Sequence, residues 1–196
     1  NIVRTADDTA RRRDACRLIQ RLPALRELGT DDIDAGVREI AQARYRKLLC
    51  GLDDVLPALD ERMEEIRGPL DQRGLEQVAS NGREPEVRLA AISRVSSPSV
   101  LAACALGDAT TANRCAATER LHDKRALEHV ARSIGKKDKN VYRIARRKLR
   151  EIAEQEALPQ RLRAQCEEIC GKLERLGRFE NWVQDRALLD LLDREW

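Results

Sequence analysis

A repeat of about 26 residues constrains this chain more than any other feature of it. The segments "VRLAAISRV" (87–95), "NRCAATERL" (113–121) and "VYRIARRKL" (141–149) superpose with Ala91, Ala117 and Ala145 in register. A basic residue recurs three positions after each alanine, as Arg94, Arg120 and Lys148, and Val95, Leu121 and Leu149 follow it. Upstream, a second pattern keeps the same spacing, with Leu75, Leu101 and Leu127 in one slot and Val78, Cys104 and Val130 in another. Apolar positions three and four apart make both patterns amphipathic helices. The polar, Gly-containing stretches "SNGREPE", "GDATTAN" and "GKKDKN" are their turns. Each unit is therefore a hairpin of two short helices, with a small residue where paired helices approach closely.

A hairpin of this size cannot bury its own apolar face, so neighbouring units must cover it. The expected fold is all-α: a right-handed α-solenoid of short HEAT-like helical hairpins, followed by a C-terminal helical hairpin or the start of a coiled coil. "VREIAQARY" (37–45) puts Val37, Arg38, Ala41, Arg44 and Tyr45 in the same slots, with Leu25 and Leu28 supplying its first helix. "RRRDACRLI" offers Ala15 to a further half-unit. Between them Leu52 to Arg67 breaks the pattern and reads as one longer amphipathic helix ended by Gly68-Pro69. From Leu158 the residues Leu162, Cys166, Ile169, Leu173 and Leu176 follow a heptad seam. Pro159 suits the first turn of that helix and Gly177 its end. A last helix then carries Phe179, Trp182, Leu189, Leu192 and Trp196 as a face for a partner helix. The expected divisions are 1–74, irregular N-terminal helical repeats; 75–152, HEAT-like repeats; and 153–196, a truncated amphipathic hairpin. A start at Asn1 and a stop inside a helical pattern imply a piece of something longer.

Composition agrees with helices. Charged residues make up 36% of the chain and aromatics 3%, with Gly and Pro sparse, which disfavours a β-sandwich or barrel. No run of about 18 apolar residues is present, so no membrane association is expected. The six cysteines form no CxxC pair and have no histidine at zinc-finger spacing, so packing in a reducing, cytoplasmic setting is expected.

The stretches "EPEVRLAAISRV", "NRCAATERL" and "DKNVYRIARRKL", with "CEEICGKLERL" and the terminal "LLDREW", resemble the N-terminal region of bacterial proteins carrying the domain of unknown function numbered 349. The likeness covers roughly residues 75–196. It implies short HEAT-like repeats followed by highly charged, coiled-coil-like helices. It implies no catalytic residue, because none is established for the pattern.

Charge asymmetry is the strongest functional signal. Between Asp123 and Arg150 stand eleven Lys or Arg against three Asp or Glu, while the whole chain is only +3, so the remainder is acidic. Arg143, Arg146, Arg147 and Arg150 fall at i, i+3, i+4 and i+7 on one helix face, where like charges repel by a few tenths of a kcal/mol per pair. Lys136, Lys137 and Lys139 extend the cluster in the adjacent turn. Such a face offers a site for phosphates, and scarce aromatics restrict recognition to nucleic-acid backbone or shape, as in structured RNA or the ribosome. The alternatives are an acidic protein surface, or a purely architectural spacer whose arginines are only solvated. The C-terminal helices are expected to pair with the rest of a longer chain or to self-associate.

Arg88 and Arg94 flank the apolar stripe of their helix, which points to bracing between repeats, with Asp108 or Asp123 as carboxylate partners. Catalysis has little support. A HEAT-like DNA glycosylase would need an exposed aromatic beside an Asp on the concave face, and the clear repeats offer only Tyr142. His122-Asp123 lacks further histidine ligands, and Ser93, Ser96, Ser97 and Ser99 lack a base partner. No metal, cofactor or catalytic residue is expected, and Cys166 and Cys170 read as seam residues.

Overall fold

In each repeat the turn chemistry sets where the helices begin. The computed structural model describes residues 9–135, 137–174 and 182–195, which form eleven helices and, among the described residues, no strand. They are α1 (Thr9–Arg17), α2 (Leu22–Asp31), α3 (Ala35–Leu49), α4 (Leu59–Arg67), α5 (Gln72–Asn81), α6 (Pro85–Ile92), α7 (Pro98–Gly107), α8 (Thr111–Arg120), α9 (Lys124–Ile134), α10 (Lys139–Leu173) and α11 (Trp182–Glu195). Asp34, Asp71 and Asp123 cap α3, α5 and α9 by accepting the backbone N–H of Val37, Gly74 and Ala126. Pro23, Pro85 and Pro98 sit in the first turns of α2, α6 and α7, where no N–H is needed. Gly135, at φ +48°, ends α9. None of the described helices is long and apolar enough to cross a membrane.

The chain divides into two compact units, 1–148 and 149–196. In the first, α2 packs on α3, α5 on α6 and α7 on α8; α5 also packs on α7, and α6 on α8. The repeat is thus physical as well as sequential. Ala41, Ala91, Ala117 and Ala145 are fully buried, as are Val37, Val87 and Val141 four residues before three of them. Leu22, Leu25, Leu48, Leu49, Ile66, Leu75, Ile92, Leu121 and Leu127 fill the spaces between helices. Each such side chain contributes about 1.5–3 kcal/mol by leaving water.

Two sequence expectations need correction here. The stretch Leu52 to Arg67 is not one long helix: α4 begins only at Leu59. Pro57 explains the late start, since it disfavours helical backbone at the residue before it and lacks the N–H that a helix interior requires. Leu52 and Val55 consequently lie exposed. Pro159 does not start a helix either, because it lies inside the 35-residue α10. The backbone hydrogen bond it removes falls on a run of exposed residues, where water can satisfy the freed carbonyl.

In the second unit Ile169 and Leu192 are buried, whereas Leu162, Cys166 and Leu173 of the heptad seam are exposed. Leu189, expected on a buried face, is 48% exposed. Phe179, Trp196, Leu176, Gly177 and the Trp182 side chain lie outside the described residues.

Candidate nucleic-acid interface

The first unit uses its repeat-equivalent arginines and lysine in two ladders, and the candidate interface is a cluster of cations outside them. One ladder joins four arginines to carboxylates in the turn that follows in the stack. Arg12 donates to both carboxylate oxygens of Asp32 at 2.5 and 2.6 Å. Arg62 makes a two-pronged pair with Glu84 at 2.8 and 2.9 Å. Arg88 donates to Asp108 from Nε at 2.7 Å and Nη2 at 3.0 Å. Arg114 reaches Asp138 from the same two nitrogens at 3.0 and 2.8 Å. Such paired, charge-assisted bonds fix geometry as well as adding energy.

Two of these guanidinium groups, together with that of Arg38, also clamp their own turns. Arg38 Nη1 donates to the carbonyls of Asp32 and Ile33, Arg88 Nη1 to those of Gly82 and Arg83, and Arg114 Nη1 to those of Asp108 and Ala109. The acceptor aspartates are held by the backbone they sit in. Asp32, Asp108 and Asp138 accept the N–H of Asp34, Thr110 and Asn140, two residues on. Burial penalises the charge on Asp108 and Asp138, yet their arginine and N–H donors outweigh it and hold both carboxyls below the ordinary value. Glu84 is likewise lowered, chiefly by Arg62.

The second ladder uses the basic residue three positions after each central alanine. Arg44 donates to the carbonyl of Ile19, Arg94 to those of Ile66 and Gly68, Arg120 to that of Val95 and Lys148 to that of Glu119. Each acceptor lies at or just past the C-terminal end of a helix in the preceding unit, where unpaired carbonyls and the helix dipole favour a cation. The expected bracing by Arg88 and Arg94 is therefore present, with one correction. Arg88 does take Asp108, but Arg94 takes helix-end carbonyls, while Asp123 caps α9.

The start of α10 differs from the other units. The slot three residues before the central alanine, filled by Arg12, Arg38, Arg88 and Arg114 elsewhere, holds Tyr142, which is 42% exposed. Arg147 is tied to Glu119 of the preceding unit at 2.7 Å to both oxygens, an exposed pair of small energetic value. Arg143 makes one long contact, 3.4 Å to the Asn140 side chain, and Arg146 has no ion-pair partner among the described residues. Lys137 and Lys139 are exposed in the same turn, and Lys136 lies outside the described residues. Arg150, exposed on α10, belongs to the second unit. Of the expected basic face, the first unit thus offers Arg143, Arg146, Lys137 and Lys139 as uncompensated charge, with Arg147 partly neutralised.

Sequence reasoning missed Asp138, the acid that ends the carboxylate ladder inside the lysine-rich turn "GKKDKN". The signal was present: Asp32 and Asp108 stand two residues before Asp34 and Thr110, which precede the next helices, and Asp138 stands directly before α10 in a turn of the same make-up. Among the described residues no group of three or more His, Cys, Asp or Glu side chains is placed to hold a metal ion. Comparison with family models, curated proteins and solved structures found no match to this chain.

Proposed function

We propose that the chain is a non-catalytic helical-repeat scaffold, a right-handed solenoid of HEAT-like hairpins, that engages a polyanionic partner through the start of α10. Structured RNA is the favoured partner. One observation carries this reading: every repeat-equivalent arginine or lysine in the two ladders has an acceptor, whereas Arg143 and Arg146 stand exposed without a carboxylate. Like charges three apart on a helix repel, and phosphate oxygens are the acceptors that turn this cost into attraction. Recognition runs through backbone and shape, because Tyr142 is the one exposed aromatic among the described residues of the first unit. The cysteines are unpaired, which supports a reducing cytoplasm as the setting. Kinship with the domain-of-unknown-function 349 proteins is the family proposal that accompanies this reading.

The test is retention of structured RNA at low salt by the whole chain, its Arg143→Glu/Arg146→Glu variant and an Arg67→Glu control. Loss in the double variant alone supports the proposal. Equal retention by all three overturns it, and loss of an acidic protein instead of RNA transfers the face to a protein partner.

A further inference from the structure

A cavity of about 260 Å³ opens between α2, α3 and the start of α5, and neither ladder uses it. Leu25, Pro69 and Leu70 give it apolar walls, while Arg26, Arg46 and Arg73 line its polar side. Arg26 is already neutralised: its Nη1 donates to Glu65 Oε2 at 2.8 Å, an oxygen that also accepts the Tyr45 hydroxyl at 2.7 Å. Asp71, the only acid lining the cavity, is occupied in capping α5 through the Gly74 N–H at 3.0 Å. Arg46 and Arg73 have no carboxylate partner among the described residues. Two free guanidinium groups against one carboxylate leave a single positive charge beside an apolar wall.

We propose that this cavity binds a small monocarboxylate with a compact apolar body, such as an aromatic or branched-chain acid. Size and charge both select it. A dry cavity of roughly 150 Å³ accepts benzene, so this one holds a ring together with its carboxylate, yet it falls below the roughly 300–1,000 Å³ of sites for larger ligands. The planar carboxylate matches a guanidinium fork, and the ring covers the accessible apolar surface of Pro69 and Leu70. The cavity reaches Pro69, just after the segment 52–68 that interrupts the regular stacking, whereas two clefts elsewhere in the first unit are each lined by a single arginine, Arg88 or Arg12.

The experiment is an NMR titration of the whole chain with sodium benzoate, using benzyl alcohol, sodium acetate and acetyl-glutamate amide as comparators. Benzoate is expected to shift the amides of Gly29, Thr30, Gln42 and Leu70 saturably. Arg73→Gln, at an exposed position, and Arg46→Gln each weaken binding by about tenfold, the scale of a hydrogen bond to a charged group. Benzyl alcohol and acetate are expected to bind at least about tenfold more weakly, since each lacks one of the two elements. Absence of saturable shifts, equal binding of benzoate and benzyl alcohol, or unchanged affinity in both folded variants overturns the proposal. So does tighter binding of acetyl-glutamate amide, which would assign the cavity to an acidic side chain of a protein partner.

Discussion

Replacing Asp108 by alanine tests whether the carboxylate ladder holds the repeats together. Asp108 is the most enclosed acid of the ladder, with 2% of its side chain exposed against 13% for Arg88. The substitution removes both bonds from Arg88, the N–H bond from Thr110 at 2.8 Å and that from Asn113 at 3.2 Å. Breaking a buried pair by deleting one partner costs about 3–5 kcal/mol, because the other charge is stranded. Arg88 keeps the carbonyls of Gly82 and Arg83 and some access to water, which puts the cost near the lower bound, about 3 kcal/mol. For a domain of this size that lowers Tm by roughly 6–12 °C. The assay is urea unfolding followed by circular dichroism, with Arg88→Met and the double variant completing a cycle; the double is expected to cost clearly less than the sum of the singles. The pH dependence has a definite sign. Because the folded-state pKa of Asp108 is lowered, its contribution is fully present above the ordinary carboxylate value of about 3.9 and is lost as pH falls through the folded value. The gap between wild type and Asp108→Ala therefore narrows below about pH 4. A cost under about 0.5 kcal/mol, the level of an exposed pair, or a gap that stays constant into acid would refute the reasoning.

Other outcomes follow from single positions. Gly51 has φ +72°, and a Cβ there would lie 2.6 Å from Arg62 Nη1 and 3.1 Å from Glu84 Oε2, so Gly51→Ala should cost about 2 kcal/mol in the same unfolding assay. Ala117→Leu inserts bulk at a fully buried helix contact and should destabilise by about 1–3 kcal/mol, while Ala153→Leu, exposed on α10, should be neutral. Burial pushes the Cys50 thiol up to about 11, and Cys16 and Cys104 are also buried and raised. A thiol-reactive dye at mildly alkaline pH should therefore label Cys166 and Cys170 quickly and those three only as the chain unfolds.

What the sequence made legible was what lies along one helix. The alanine register, the Leu75, Leu101 and Leu127 slots and the turns between them all locate real helices, because 3.6-residue periodicity is a local property. What it left open lies across helices. Arg94 and Arg88 look alike in sequence, yet one meets helix-end carbonyls 26 and 28 residues back and the other a carboxylate 20 residues ahead. Only the stacking of units decides between them. The basic face shows the same division: helical spacing located all four arginines on α10, but that Arg147 meets Glu119 while Arg146 meets no acid depends on the neighbouring helix. Leu52 to Arg67 departs from one helix for a local reason: its apolar periodicity runs across Pro57, which a helix interior does not admit.

The central claim is that the ladders consume the repeat cations and leave Arg143 and Arg146 for phosphates. Its most direct test is the salt dependence of affinity for a structured RNA, measured by fluorescence anisotropy for wild type and for Arg143→Gln/Arg146→Gln. Each lost phosphate contact makes the slope of log K against log salt shallower by about one, so the double variant should bind more weakly with a slope shallower by about two. An unchanged slope and affinity in the double variant would contradict the account.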